Sequence, residues 1–170
     1  MYCIFFFSRQ RRDTRFPSGL SSGRWPSDPK KVKDGMPAEL MPLVASNEVP
    51  INPYRIIWDL MNTVDRSQTI LTHDSGHPRD QTIPFFETTT PRGYLGWGNS
   101  SQLGYGLGIA MGAKLGAPEK LVVNIMGDAA IGMAGMDIET AVRHNIPILT
   151  IVLNNHVLSG YSRNYPVEIG

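Results

Sequence analysis

A chain of 170 residues supplies one domain of ordinary size and not two or three. With 41% hydrophobic and 18% charged residues it has globular composition, which excludes wholesale disorder; a net charge of +1 leaves no global basic field pointing to nucleic acid. The single cysteine, Cys3, excludes a disulfide scaffold and a cysteine-built zinc site and fits a reducing compartment, and no apolar run reaches the roughly 18–20 residues of a spanning helix.

The charge is unevenly spread. Residues 1–33 hold eight basic and two acidic residues, a net of +6, so the remainder of the chain nets −5. The apolar run Tyr2 to Phe7 comes before Arg9, Arg11 and Arg12, the reverse of the order in a secretory signal, and it is short for one. A composition rich in Arg and Ser and poor in acid leaves organellar targeting open beside a cytoplasmic location. Pro17, Pro26, Pro29, Pro37, Pro42 and Pro50 forbid a long helix. Residues 1–50 are therefore expected to form a basic, proline-rich leader and linker, poorly ordered, ahead of a body spanning residues 51–170.

In the body, Asn52 followed by Pro53 is a helix start, a capping residue with proline at the first helical position. Ile56, Ile57, Leu60, Met61 and Val64 recur at helical spacing, which predicts an amphipathic helix over 53–64. Thr69 to Thr72 predicts a short strand, and Asp74 to Gly98 a loop-rich connection. Residues 101–115 are small and apolar and predict a helix. Leu121 to Met126 is a continuous apolar run with β-branched residues, the mark of a strand buried on both faces. A helix over 132–144 and a second buried strand over Pro147 to Leu153 follow. Strand, helix and strand with such short connections make a βαβ unit, so the fold class is α/β, an open parallel sheet with helices on both faces in three layers.

The two buried strands run into polar residues, Gly127-Asp128-Ala129-Ala130 after the first and Asn154-Asn155 after the second. Ligands of open parallel sheets bind beyond the carboxyl ends of the strands. Neighbouring strands therefore bring Asp128 and Asn155 to one edge, where a carboxylate and an amide oxygen make a hard-oxygen site suited to Mg²⁺ completed by water and phosphate. Gly127 lets a ligand approach the backbone, and the following helix start favours an anion. Taken singly, an Asp after a strand is more often a helix cap and an Asn pair more often a turn; the joint placement at adjacent strand ends favours the ion.

These residues resemble a known family. Gly127-Asp128-Ala129, 24 residues and then Asn154-Asn155 is similar to the signature of thiamine diphosphate-dependent enzymes, in which Gly-Asp-Gly precedes Asn-Asn by about two dozen residues. The segments GDAAIGMAGMDIETAVRHNIPILTIVLNN and LGWGNSSQLGYGLGIAMGAKLGAPEK resemble the diphosphate-binding domain of the acetolactate synthase-like group, and the resemblance covers roughly residues 48–170. Ala129 departs from the commoner glycine.

The resemblance implies thiamine diphosphate and Mg²⁺ as cofactors. It assigns the metal to Asp128, Asn155 and the backbone carbonyl of Val157, and the diphosphate to Gly127, Asp128, Asn155 and the backbone N–H groups of Ala129 and Ala130. Leu103 falls where a bulky apolar residue supports the bend between the cofactor's rings, and Ser101 where a backbone carbonyl meets the aminopyrimidine. His77-Pro78 stands where the family has Gln-His, so no role passes to His77. The implied reaction is decarboxylation or carboligation of 2-oxo acids, the work of a lyase or transferase. The activating glutamate is expected in a pyrimidine-binding domain of the same or a neighbouring subunit of a homo-oligomer; nothing in residues 1–50 resembles that domain. The chain is thus expected to be a truncated diphosphate-binding domain, catalytically incomplete alone, with no nucleic acid or membrane partner. Two readings stand beside this one: a non-catalytic fragment that at most binds the cofactor, and a dinucleotide-binding oxidoreductase domain. Against the latter, Gly104 and Gly106 are followed by Ile109 where the third glycine belongs.

The glycines at 104, 108 and 112 predict close packing of a helix on the sheet or a partner chain. His73 and His77 are separated by helix-breaking Asp74-Ser75-Gly76, which argues against a zinc pair. His144 suits a helix end, His156 follows the Asn pair beside the site, and Tyr94 and Trp97 are expected to be packing residues.

Overall fold

In the computed structural model, which describes residues 3–8, 41–83, 85–98, 100, 102–156 and 158, five strands and six α-helices follow one another along the described chain, with a short 3-10 helix at Arg66–Gln68. The strands are β1 (Cys3–Ser8), β2 (Thr69–His73), β3 (Tyr94–Leu95), β4 (Leu121–Gly127) and β5 (Leu149–Asn154). The helices are α1 (Met41–Val44), α2 (Pro53–Thr63), α3 (His77–Thr82), α4 (Tyr105–Gly116), α5 (Asp128–Ala134) and α6 (Asp137–Arg143). All strands lie in one parallel sheet of order β1-β5-β4-β2-β3.

Helix α2 forms where expected and for the expected reason. The Asn52 side chain accepts a hydrogen bond from the Tyr54 N–H at 3.0 Å, and Pro53 occupies the first turn, where its missing N–H costs nothing. β2 is buried at every position, and β4 is buried from Val122 to Met126, which is why both are mostly apolar or β-branched, with His73 and Asn124 as the polar exceptions.

The pleat of these strands sorts the core into two layers. Leu71, Val123, Ile125, Ile151 and Leu153 pack with Tyr54, Ile56 and Ile57 of α2 and with Phe85 and Phe86. The alternate residues Ile70, Val122, Met126 and Val152 pack with Leu107 and Ala110 of α4, Ala130 of α5 and Ala141 of α6. Each fully buried side chain of this size contributes about 1.5–3 kcal/mol, and the two layers together give the expected helix–sheet–helix architecture.

The structure differs from the sequence-based reading in several places. Cys3–Ser8 departs from the expected leader: it pairs in parallel with β5, from Cys3 opposite Leu149 to Ser8 opposite Asn154. A β-prone run beside an open strand edge satisfies that edge's backbone groups. Met41–Val44 is helical as well, while residues 9–40 lie outside the described residues. The stretch after Asp74 contains helix α3 and the short strand β3, because Pro78 is pre-set for a first helical turn and Tyr94-Leu95 can pair with Leu71-Thr72. The single helix expected over 132–144 starts earlier, at Asp128, and is divided at Gly135-Met136 into α5 and α6. Among the described residues no helix is long and apolar enough to cross a membrane.

Within the chain, only part of the glycine stripe packs closely: a Cβ on Gly104 would stand 3.0 Å from the Ala134 Cβ. Gly108 and Gly112 face open space, whereas Gly106, half a turn round the helix, lies against the sheet. A Cβ on Gly106 would stand 2.8 Å from Asn124 Oδ1 and 3.1 Å from the His73 backbone. The contact between α4 and the sheet thus depends on the glycine outside the four-residue repeat.

Candidate functional site

The register brings three strand ends to one edge of the sheet. His73 is opposite Ile125, and Gly127 is opposite Leu153. The Asp74 N–H donates to the Ile125 carbonyl at 2.8 Å, one bond past the end of β2. Asp74-Ser75-Gly76 leave β2, Gly127-Asp128 leave β4 and Asn154-Asn155 leave β5 at this edge. Asp128 stands level with Asn154, and Asn155 lies one step beyond.

Asp128 opens α5 and is half-buried, with Ala129 and Ala130 behind it in the first turn. Asn154 turns its side chain inward on the chain: its Oδ1 accepts from the His156 N–H at 3.1 Å, with His156 at φ +57°. That Asx-type turn uses the first asparagine of the pair and presents the second, Asn155, half-buried beyond the strand. Pro78, in the first turn of α3, comes within 3.9 Å of the Cβ position on Gly127.

A second loop, residues 102–104, is stitched to the end of β2. The Ser75 hydroxyl donates to the Gln102 carbonyl at 2.8 Å, and the Asp74 carboxylate accepts from the N–H groups of Gly104 and Gly106 at 3.0–3.3 Å. Leu103 is half-buried and packs against the core layer that includes Leu107 and Ala130. Behind the loop, Thr72 Oγ1 donates to Asn124 Oδ1 at 3.0 Å, a buried polar pair between β2 and β4.

Of the residues singled out from the sequence, Gly127, Asp128, Ala129, Ala130, Leu103 and Asn155 belong to this one edge and the loop beside it. Ser101 and Val157 lie outside the described residues. His144 is exposed at the end of α6 and His156 is exposed beyond β5. Trp97 is 47% exposed and packs on Tyr105, whose hydroxyl accepts from the Trp97 N–H at 3.1 Å. Sequence reasoning passed over Asp74, although an acidic residue directly after a buried strand is the same signal that pointed to Asp128.

His73 is buried. Its ring lies 5.1 Å from that of Tyr94, and its Nδ1–H donates to the Asp74 carbonyl at 3.1 Å. Burial pushes its pKa below the ordinary histidine value of 6.5, more than the Asp74 carbonyl and the Asp74 and Asp80 carboxylates raise it; Arg79 adds to the lowering. Burial also lowers the pKa of His77. The unfolded chain then binds more protons than the folded one below pH 6.5. This contribution to stability is present above 6.5 and is lost as pH falls below it and through the lower folded value. Urea midpoints measured between about pH 8 and about pH 5 are expected to fall on the acid side, with a shallower fall in His73→Gln. An identical slope in the variant would count against a neutral buried His73.

The donor set suits a small hard cation bridged to phosphate. Among the described residues no three His, Cys, Asp or Glu side chains gather, so an ion at Asp128 and Asn155 would take its remaining ligands from backbone, water or an anionic ligand, as Mg²⁺ does. Asp74, by contrast, is 0% exposed and its oxygens are occupied by amides.

Residues 74–164 match the family described as thiamine pyrophosphate enzyme, C-terminal TPP binding domain. The chain belongs to this family. It is 32% identical over 170 residues to a 2-hydroxyacyl-CoA lyase of Arabidopsis thaliana, covering 98% of this chain and 29% of the relative. It is 31% identical over 122 residues to a probable acetolactate synthase large subunit of Methanococcus aeolicus, covering 69% of this chain and 20% of the relative. A 2-hydroxyacyl-CoA lyase of Saccharomyces cerevisiae is 36% identical over 105 residues, 62% of this chain and 19% of the relative. The chain thus spans less than a third of the length of these relatives. The first alignment reaches well beyond the 48–170 stretch in which the likeness was read from sequence. The matched part of this TPP-binding domain starts at Asp74, directly after β2, and takes in the ends of β4 and β5.

Proposed function

We propose that this TPP-binding domain holds thiamine diphosphate through Mg²⁺ bound by Asp128 and Asn155, with the Val157 carbonyl as a further ligand. The observation that carries this reading is the register of β4 on β5, with Gly127 opposite Leu153, which brings the Asp128 carboxylate and the Asn155 amide to adjacent strand ends one residue out of step. Asp128 supplies the negative charge that attracts the ion, and Asn155 a neutral oxygen donor. The N–H groups of Ala129 and Ala130, at the start of α5, face the diphosphate, and Gly127 keeps that approach free of a side chain. Leu103 gives the cofactor's bend an apolar support, and the Ser101 carbonyl receives its aminopyrimidine.

The bound cofactor supplies an electron sink for breaking or making a bond next to a carbonyl. The proposed substrates are accordingly 2-oxo acids, with decarboxylation or carboligation as the reaction. The activating carboxylate comes from a pyrimidine-binding domain of the same or a neighbouring subunit in a homo-oligomer, located in the cytoplasm.

Calorimetric titration of the chain with thiamine diphosphate, once with Mg²⁺ and once with chelator, tests the binding step. Saturable binding that disappears with the metal is expected. Absence of binding at about 1 mM cofactor, a limit of about −4 kcal/mol, would overturn the reading. Binding of NADH in its place would favour a dinucleotide-binding domain.

A further inference from the structure

The N–H groups of the first turn of a helix have no acceptor within the helix, and a Ser, Thr, Asp or Asn just before it commonly supplies one. Helix α4 begins after Gly104, which has no side chain to do this and sits at φ +87°, a conformation that glycine adopts without strain. The acceptor comes instead from 30 residues upstream. Asp74 Oδ1 accepts from the Ser75 N–H at 2.8 Å and the Gly104 N–H at 3.1 Å; Oδ2 accepts from the Gly104 N–H at 3.0 Å and the Gly106 N–H at 3.3 Å. The carboxylate is sealed from solvent. Burial pushes its pKa above the ordinary Asp value, and the amides of Ser75, Gly106 and Gly104 hold it down against that.

We propose that Asp74 is a positioning residue for the cofactor: its buried carboxylate sets the loop of residues 102–106, and with it Leu103, against the strand ends that bear Gly127 and Asp128. The inference rests on the reading of this edge as the thiamine diphosphate site. The linkage is continuous. The Asp74 N–H is bonded to Ile125 of β4, two residues before Gly127, while its side chain is bonded to the loop. Ser75 fastens the same loop one residue earlier, at Gln102. One residue thus sets the spacing between the part of the site that meets the diphosphate and the part that meets the rings. A carboxylate suits the task because both of its oxygens only accept; an amide at Asp74 would keep one acceptor and turn a donor toward another N–H.

Hydrogen exchange of single amides by NMR, together with cofactor titration in the presence of Mg²⁺, tests this on the whole chain. In Asp74→Ala the Gly104 and Gly106 amides are expected to exchange at least about tenfold faster, while the β4 amides from Val122 to Met126 keep their protection. The cofactor dissociation constant is expected to rise by about tenfold or more. Asp74→Asn, the milder change, is expected to expose Gly106 while Gly104 stays protected, with affinity between wild type and Asp74→Ala. Unchanged exchange at both glycines would overturn the proposal. So would a loss of β4 protection by the same factor, which would mark a plain stabilising role, or equal affinity for the cofactor in all three proteins. If the wild-type chain binds no cofactor, the functional reading fails with it; if the wild type binds and the variants bind as tightly, only the positioning role fails.

Discussion

Replacing Asp128 with alanine is expected to weaken Mg²⁺-dependent binding of thiamine diphosphate by about 100-fold or more, with little change in the melting temperature of the chain. Two carboxylates stand at the strand ends, and they are not equivalent. Asp74 is buried with its lone pairs engaged by backbone amides, whereas Asp128 is half-buried at the lip of β4. Only Asp128 is placed to offer a charged oxygen to an ion shared with a phosphate ligand. Its contribution to the fold is limited to a favourable charge in the first turn of α5, about 0.3–1 kcal/mol. Asn155→Ala removes a neutral donor and is expected to have a smaller effect in the same direction. Calorimetry with metal and with chelator measures both. An Asp128→Ala protein that binds the cofactor as tightly as wild type would remove the proposed metal site.

The second large effect concerns the fold beneath the site. Gly106→Ala is expected to destabilise the chain by about 3 kcal/mol, a loss of roughly 10 °C or more in melting temperature. The added methyl would stand 2.8 Å from Asn124 Oδ1 and 3.1 Å from backbone atoms of His73. Neither neighbour can yield cheaply. Asn124 is fully buried and accepts from Thr72, and the His73 backbone belongs to the ladder between β2 and β4. Gly112→Ala on the same helix meets no atom within 4 Å and is expected to be neutral or stabilising by up to about 1 kcal/mol. Thermal melts of the two variants side by side separate tight packing from helix propensity. Equal melting temperatures would show that the α4–sheet spacing tolerates a methyl group.

The contrast between these glycines shows how legible the molecule was. Helix α2 announced itself through Asn52-Pro53 and the spacing of its apolar residues, because a cap and an amphipathic face are local properties. Strands β4 and β5 were readable as largely apolar, β-branched runs, each interrupted by one polar residue, Asn124 and Thr150, and Asp128 and Asn155 as the polar residues that follow them. The short helix α3 was not readable. Its six residues carry too little periodicity, and the one strong signal in them, Pro78, fits a loop as well as a first helical turn. The division of α5 from α6 was missed because an interior glycine lowers helix propensity without saying where the chain will turn.

From residue pattern alone came the α/β class and the two central strands, since each strand and helix shows in neighbours a few residues apart, and the candidate metal-binding pair, since a βαβ unit brings the ends of its two strands to one edge. The tertiary structure decided which glycine of α4 meets the sheet, what caps that helix and what lies beside β5. Those outcomes depend on groups far apart in the chain: Gly106 against Asn124, Asp74 on Gly104, and Cys3–Ser8 along Leu149–Asn154. A contact of that kind is set by where a strand ends relative to its neighbour, and this register exists only once the sheet has formed.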